Sequence, residues 1–239
     1  MAAKAASYIV DLVYLVMPEY PAKRITDPDI ILRPVEGKNF TKVHLEGVLA
    51  LAEKADAVLI GPGMGVKEET KEFVREFVKH CEKPLVVDAD GLKAIAEDLS
   101  VLKGKTFVLT PHGGEFKALF GIKPGDSLQG KVKLVMKKAR EIDGVILLKG
   151  AYDVISDGKT WKYNKTGNRG MTTGGTGDVL AGLVGALLAL GNEPLRAASV
   201  GAFLNGLAGD MVKDELGENF TALEVANKVP HAVKRVMEF

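Results

Sequence analysis

A doubly wound α/β fold, in which a mostly parallel sheet is flanked by helices, is predicted by three features of this sequence. Short apolar runs of strand length alternate with helix-periodic segments from residue 12 to residue 150. Glycines, acids, a histidine and a lysine fall just after those runs, on the strand-end edge where open α/β sheets bind ligands. Finally, residues 168–191 join a glycine-rich loop to an apolar run of helical length.

The chain has 239 residues, 46% of them hydrophobic, enough to bury the core of one large α/β domain spanning 1–239. A net charge of +1 predicts neither nucleic acid nor an anionic membrane as the main partner. The single cysteine, Cys81, rules out an internal disulfide and fits a reducing cytoplasm. Residues 179–190 are too short to span a bilayer, and residues 1–4 lack the apolar core of a secretory signal.

In chain order, an Ala-rich helix is expected to about Tyr8, followed by the near-continuous apolar run 12–17, read as a strand buried on both faces and stopped by Pro18. Residues 30–32 form a second short strand, ended by Pro34, and 41–54 carry a helical apolar face. A buried strand at 57–60 runs into Gly61-Pro62-Gly63-Met64-Gly65, then a helix at 67–80 with Phe73, Val74, Phe77 and Val78 on one stripe. Strand 84–88 opens onto Asp88, Ala89, Asp90 and a helix. Strand 106–109 opens onto Thr110-Pro111-His112-Gly113-Gly114-Glu115. Helices near 115–119 and at 127–142 precede strand 144–149, which ends at Lys149-Gly150. Residues 152–156 and 159–163 alternate about Asp157-Gly158, the signal of a short antiparallel hairpin extending the sheet. After the glycine loop and its helix, which stops at Gly191, come helices at 194–216 and 221–237, the latter with a Thr221/Glu224 capping box.

The glycine loop carries the chemistry. A loop feeding a helix start aims free N–H groups and the positive end of the helix dipole at one spot, which suits a phosphate or a developing oxyanion. Asp178 enters at the same place. A carboxylate among anion-binding amides repels the anion, so it makes sense as the base that takes a proton from a hydroxyl beside a phosphate. Lys149-Gly150 is either a solvated strand end or, facing the same crevice, sets Lys149 against a nucleotide phosphate with Ala151, Tyr152 and Asp153 near base or ribose. His112 either binds substrate or bonds a backbone carbonyl. Glu115 either caps the next helix or helps hold a hydrated magnesium. Asp88 and Asp90 either bind metal-held water or cap the helix at Gly91, and Asn168 offers a side-chain amide to the anion. The four histidines have no metal-ligand spacing, and neither the P-loop nor the Rossmann fingerprint is present.

Gly61-Pro62-Gly63-Met64-Gly65, Val87-Asp88-Ala89-Asp90-Gly91-Leu92, the 110–115 segment, Leu148-Lys149-Gly150 and 168–178 together resemble the ADP/ATP-dependent NAD(P)H-hydrate dehydratases, carbohydrate-kinase-like enzymes of the ribokinase fold. The resemblance implies repair of hydrated NADH or NADPH: the nucleotide phosphorylates the ring hydroxyl, and elimination of phosphate restores the dihydropyridine. It implies Asp178 as base; Gly175, Thr176 and Gly177 stabilising the transferring phosphate; and Lys149, Gly150, Ala151, Tyr152, Asp153, Gly177 and Asn168 at the adenine nucleotide. Gly63, His112 and Asp178 would contact the hydrate, Glu115 would serve Mg2+, and a cytoplasmic homotetramer is implied. Two departures stand out. Gly113 replaces the family's second proline in Thr-Pro-His-Pro-Gly-Glu, and Met1 falls inside the helix that would follow the family's first strand and glycine loop. Two rival readings use the same residues: a kinase of this fold acting on a hydroxyethylthiazole or hydroxymethylpyrimidine alcohol, and a nucleotide-binding module without turnover.

Overall fold

The computed structural model describes residues 1–238. In order, the chain runs α1 (Ala2–Ser7), β1 (Tyr14–Pro18), α2 (Glu19–Ala22), β2 (Ile31–Val35), α3 (Leu45–Ala52), β3 (Val58–Ile60), α4 (Glu68–His80), β4 (Leu85–Val87) and α5 (Asp90–Ile95). It continues with β5 (Phe107–Leu109), α6 (Gly113–Phe120), α7 (Leu128–Ile142), β6 (Val145–Leu148), β7 (Asp153–Ser156), β8 (Trp161–Asn164), α8 (Thr176–Ala189), α9 (Pro194–Leu216) and α10 (Ala222–Met237).

Strands β3 to β8 lie in sequential order in one sheet, parallel through β6 and antiparallel for β7 and β8, so the expected hairpin extension is present. The central strands are apolar on both faces because helices cover both. Leu85 and Val87 of β4, with Phe107 and Leu109 of β5, pack against α4 and α5. On the same face, Ile146 and Leu148 meet α6 and α7. Val86, Val108 and Leu147 point the other way, into α8 and α9. Helix α10 and Ala5 of α1 close the layer behind α8 and α9. Gly182 lets α1 lie directly on α8: a Cβ there would come within 2.2 Å of the Ala2 carbonyl oxygen.

Three expectations are corrected. The apolar run at 12–17 is not a buried strand of the main sheet. It contributes β1, which pairs in parallel only with β2 in a separate two-stranded sheet and is exposed or half-buried throughout. Each of the two strands contains a proline, Pro18 and Pro34, which removes a ladder donor and suits a sheet edge. Tyr14 stands exposed under the Arg33 guanidinium, 5.4 Å from the ring centroid. Nor is β3 fully buried: it is the outer strand of the main sheet, and only Ile60 is enclosed. The segment 41–54 splits into a 3-10 turn, Lys42–His44, and the shorter α3.

The β3 and β4 ends are clamped together. Gly61 has φ +125°, and a Cβ there would sit 1.8 Å from the Asp88 carbonyl oxygen. Gly61→Ala therefore meets both strain and an immovable backbone atom. An expected loss of about 3 kcal/mol or more, read from urea unfolding, follows from the sum of backbone strain and overpacking.

Candidate active site

The parallel register brings the site together. Ile60, Val87 and Leu109 stand on one level, so Gly61, Asp88 and Thr110 leave the sheet side by side. One step further out, His112 bridges Lys149, and the Lys149 amide donates to the Pro111 carbonyl at 2.8 Å. Asp88 is 1% exposed, and its Oδ1 accepts from both Thr110 Oγ1 and Lys149 Nζ at 2.8 Å. A buried carboxylate survives only when paired and hydrogen-bonded in this way. The turn that carries it is strained: Ala89 has φ +50° without being glycine.

Lys149 Nζ also lies 3.9 Å from Glu115 Oε2 and reaches the start of α8, where a Cβ on Gly177 would be 3.3 Å away. Helix α8 begins after Gly175 in the left-handed region at φ +99°, leaving the amides of Thr176, Gly177 and Asp178 without intrahelical acceptors. The Thr176 hydroxyl donates back to the Met171 and Thr173 carbonyls (2.7 and 3.1 Å), so it shapes the loop and leaves anion contact to the amides. Burial pushes the half-buried Asp178 carboxyl above its ordinary range; the amino group of Met1 opposes, Asp88 adds to the rise and Lys149 opposes. Asp178, Asp88, Lys149 and Gly177 are therefore brought close together, at the strand ends and the start of α8.

His112 caps α6. Its Nδ1 accepts from the Gly114 and Glu115 amides (2.9 and 3.3 Å), which leaves Nε2 to carry a ring proton; Nε2 lies 3.5 Å from Glu115 Oε1, in a side chain that is otherwise exposed. Glu115 is the reciprocal half of the cap, its Oε2 accepting from the His112 amide at 2.9 Å. The sequence left a cap and a magnesium role as alternatives for Glu115, and it does cap; for His112 the alternative to a substrate contact was a bond to a backbone carbonyl, whereas the ring accepts from two backbone amides.

The 149–153 turn is held by Asp153, whose Oδ1 accepts from the Gly150 amide and Oδ2 from Asn164 Nδ2, both at 3.1 Å. Burial raises the Asp153 pKa against those two hydrogen bonds. Ala151 and Tyr152 stand exposed at its tip. Gly63 sits at the third position of a Gly61–Met64 turn with φ +70° and open space around it. Asn168 corrects its expectation: its Nδ2 is engaged by the Gly209 carbonyl and Asp210 Oδ1, both at 2.9 Å, while its Oδ1 accepts from the Gly170 amide. With both amide hydrogens engaged on α9, it has none for an anion.

The hydrogen bonds that join Lys149 and Thr110 to Asp88 at the strand ends are what the sequence reading did not draw out. The available signal was Lys149 itself, since a half-enclosed ammonium at a strand end needs a carboxylate from a neighbouring strand end. Among the described residues no group of three or more His, Cys, Asp or Glu side chains is spaced to hold a metal ion directly. No helix among them is long and apolar enough to cross a membrane.

Comparison with known proteins agrees with this geometry. A family profile described as NAD(P)H-hydrate dehydratase matches residues 1–231. The bifunctional NAD(P)H-hydrate repair enzyme Nnr of Pyrobaculum aerophilum is 47% identical over 231 residues, covering 95% of this chain and 45% of that protein. The ADP-dependent (S)-NAD(P)H-hydrate dehydratase of Nitrosopumilus maritimus is 37% identical over 228 residues, 94% of this chain and 79% of that one. Among solved structures, the ADP/ATP-dependent NAD(P)H-hydrate dehydratase of Bacillus subtilis, co-crystallised with ATP/Mg2+ and soaked with CoA, superposes with a TM-score of 0.78 at 26% identity, over 98% of this chain and 86% of that chain. The architecture is ribokinase-like. The chain spans about half the length of most of the curated relatives it matches.

Proposed function

We propose that this chain, which belongs to the NAD(P)H-hydrate dehydratase family, uses ADP or ATP to return hydrated NADH or NADPH to the intact reduced cofactor. The observation that carries the reading is this juxtaposition: a half-buried acid, Asp178, at an amide-lined helix start beside the Lys149 ammonium. Asp178 takes the proton from the ring hydroxyl of the hydrate. The resulting oxygen attacks the terminal phosphorus, and the bond to the departing nucleotide breaks, ADP leaving AMP or ATP leaving ADP. Loss of the new phosphate ester as inorganic phosphate, with the proton of the neighbouring ring carbon, restores the double bond. The amides of Thr176, Gly177 and Asp178, free at the helix start, would face the transferring group, with the Lys149 charge beside it.

Lys149 and the turn from Gly150 to Asp153 would hold the nucleotide, and Gly63, His112 and Asp178 would face the hydrate. Glu115, with Asp88 behind it, would serve Mg2+. One or two carboxylates without a closed protein cage fit an ion that keeps its waters and rides on substrate phosphates. When bound, Mg2+ would neutralise phosphate charge. The same reading gives one domain acting in the cytoplasm as a homotetramer, so light scattering should report four times the 25.5 kDa chain mass.

The deciding assay supplies the hydrate, Mg2+ and either nucleotide, and follows reduced-nicotinamide absorbance together with free phosphate. Recovery of both supports the dehydratase. A stable phosphorylated alcohol made from a thiazole or pyrimidine alcohol, with no absorbance gained from the hydrate, would turn the assignment to a kinase. A second expectation concerns pH. Only ionised Asp178 accepts the proton, and its pKa is raised, so kcat/KM should climb with pH through an acid limb above the ordinary aspartate range. A limb at or below that range would contradict its role as base.

A further inference from the structure

We infer that Asp210 of α9 is a positioning residue for nucleotide binding, the anchor that fixes the glycine loop whose amides meet the phosphates. The inference rests on the proposed use of that loop. Asp210 Oδ2 accepts from the Gly167 amide and its Oδ1 from Asn168 Nδ2, both at 2.9 Å, so one carboxylate grips two successive residues at the loop's entrance. The grip is relayed. Asn168 Oδ1 accepts from the Gly170 amide at 3.0 Å, closing the 3-10 turn Arg169–Thr172. The Thr176 hydroxyl then ties the far side of that turn, through the Met171 and Thr173 carbonyls, to the first residue of α8. Hydrogen bonds joined by the short backbone of the 3-10 turn thus link Asp210 to the Thr176 side chain at the start of α8.

Helix α9 is shaped to receive the loop. A Cβ on Gly206 would lie 2.1 Å from Thr166 Oγ1, and one on Gly209 would lie 2.3 Å from Met171 Sδ. Two glycines one turn apart form a bare seat in a buried helix, and the next residue is the acid that clamps what sits there. Charge-assisted hydrogen bonds of this kind are among the strong ones. The hydrogen bonds of Asp210 go to Gly167 and Asn168, so its effect is carried by the loop it holds, and preorganisation of that loop is what it contributes to binding.

The test compares wild type, Asp210→Ala and Asp210→Asn, with Asn168→Ala as a second break in the same relay. Backbone hydrogen exchange over residues 167–177 is read without ligand, and ADP affinity by calorimetry. In Asp210→Ala, exchange in that segment should rise while β4–β6 stay protected, and the ADP Kd should weaken at least tenfold. Asp210→Asn, which still accepts from Gly167, should recover part of both. Asn168→Ala should resemble Asp210→Ala, and combining the two should add little. In activity assays KM for nucleotide should rise with KM for the hydrate changed less than twofold. Unchanged exchange over 167–177 in Asp210→Ala overturns the anchor, whatever the ligand proves to be. Raised exchange with an unchanged ADP Kd overturns its role in binding, and equal losses for nucleotide and hydrate reduce it to a general structural contact. A wild-type chain that binds no adenine nucleotide removes the reading beneath it as well.

Discussion

Asp178→Asn is expected to abolish turnover and leave nucleotide binding intact. Asparagine is isosteric and keeps the helix start, so the amides of Thr176 and Gly177 and the Lys149 ammonium still meet the phosphates. What it lacks is a basic carboxylate oxygen to take the proton. General bases contribute about a hundred- to ten-thousandfold, and kcat should fall by that order, with the ADP Kd within about twofold. A second readout belongs to the same substitution. Asp178 is held above its ordinary pKa chiefly by burial, so its folded value exceeds its unfolded one. Such an acid contributes stability that is fully present below the unfolded pKa and lost as pH rises through the folded pKa. At neutral pH the charged group is a net liability, and Asp178→Asn should be more stable than wild type there, with the gain vanishing in acid. Greater stability with no activity is the signature of a group retained for chemistry. A variant that keeps a tenth or more of wild-type kcat would sink the base assignment; one that binds ADP like an equally inactive wild type would favour the binding-module reading.

Much of this site is visible in the sequence because α/β folds put chemistry where strands end. Asp88, Thr110 and Lys149 each follow an apolar run by one residue, and the parallel register delivers them to one edge. The helix after the glycine loop, with its carboxylate at the third position, is as the glycine spacing predicts. What the sequence does not carry is which polar groups have their hydrogen bonds already engaged. Asn168 reads as a free amide until α9, forty residues later, supplies Gly209 and Asp210 as its acceptors. Glu115 reads as metal ligand or cap alike, because carboxylates serve both at helix starts, and nothing in the sequence marks His112 as the other half of that cap. The misplacement of β1 has a different cause. An apolar run measures burial on average, and nothing in it names the partner strand. Only the pairing of Tyr14 with Ile31, remote from β3, shows that a second small sheet exists.

Lys149→Met is the other substitution with a large expected effect, and here stability and function can be pulled apart. Asp88 is 2% exposed at its side chain, and with Lys149 gone it keeps only Thr110 as a donor. Breaking a buried pair from one side costs about 3–5 kcal/mol, because the remaining charge is stranded. Removing the acid should cost less: Lys149 is 19% exposed, so it retains some solvation, and Glu115 stands 3.9 Å away. Adding Asp88→Leu to Lys149→Met removes both charges and should recover most of the lost stability, measured by urea unfolding. It should not recover nucleotide affinity, because no cation then faces the phosphates. Electrostatics supplies the opposite-signed control. Lys149 lowers and Asp88 raises the Asp178 pKa, so the acid limb of kcat/KM should move up in Lys149→Met and down in Asp88→Asn. If the double variant were to regain nucleotide affinity along with stability, Lys149 would be a scaffold for Asp88 and nothing more.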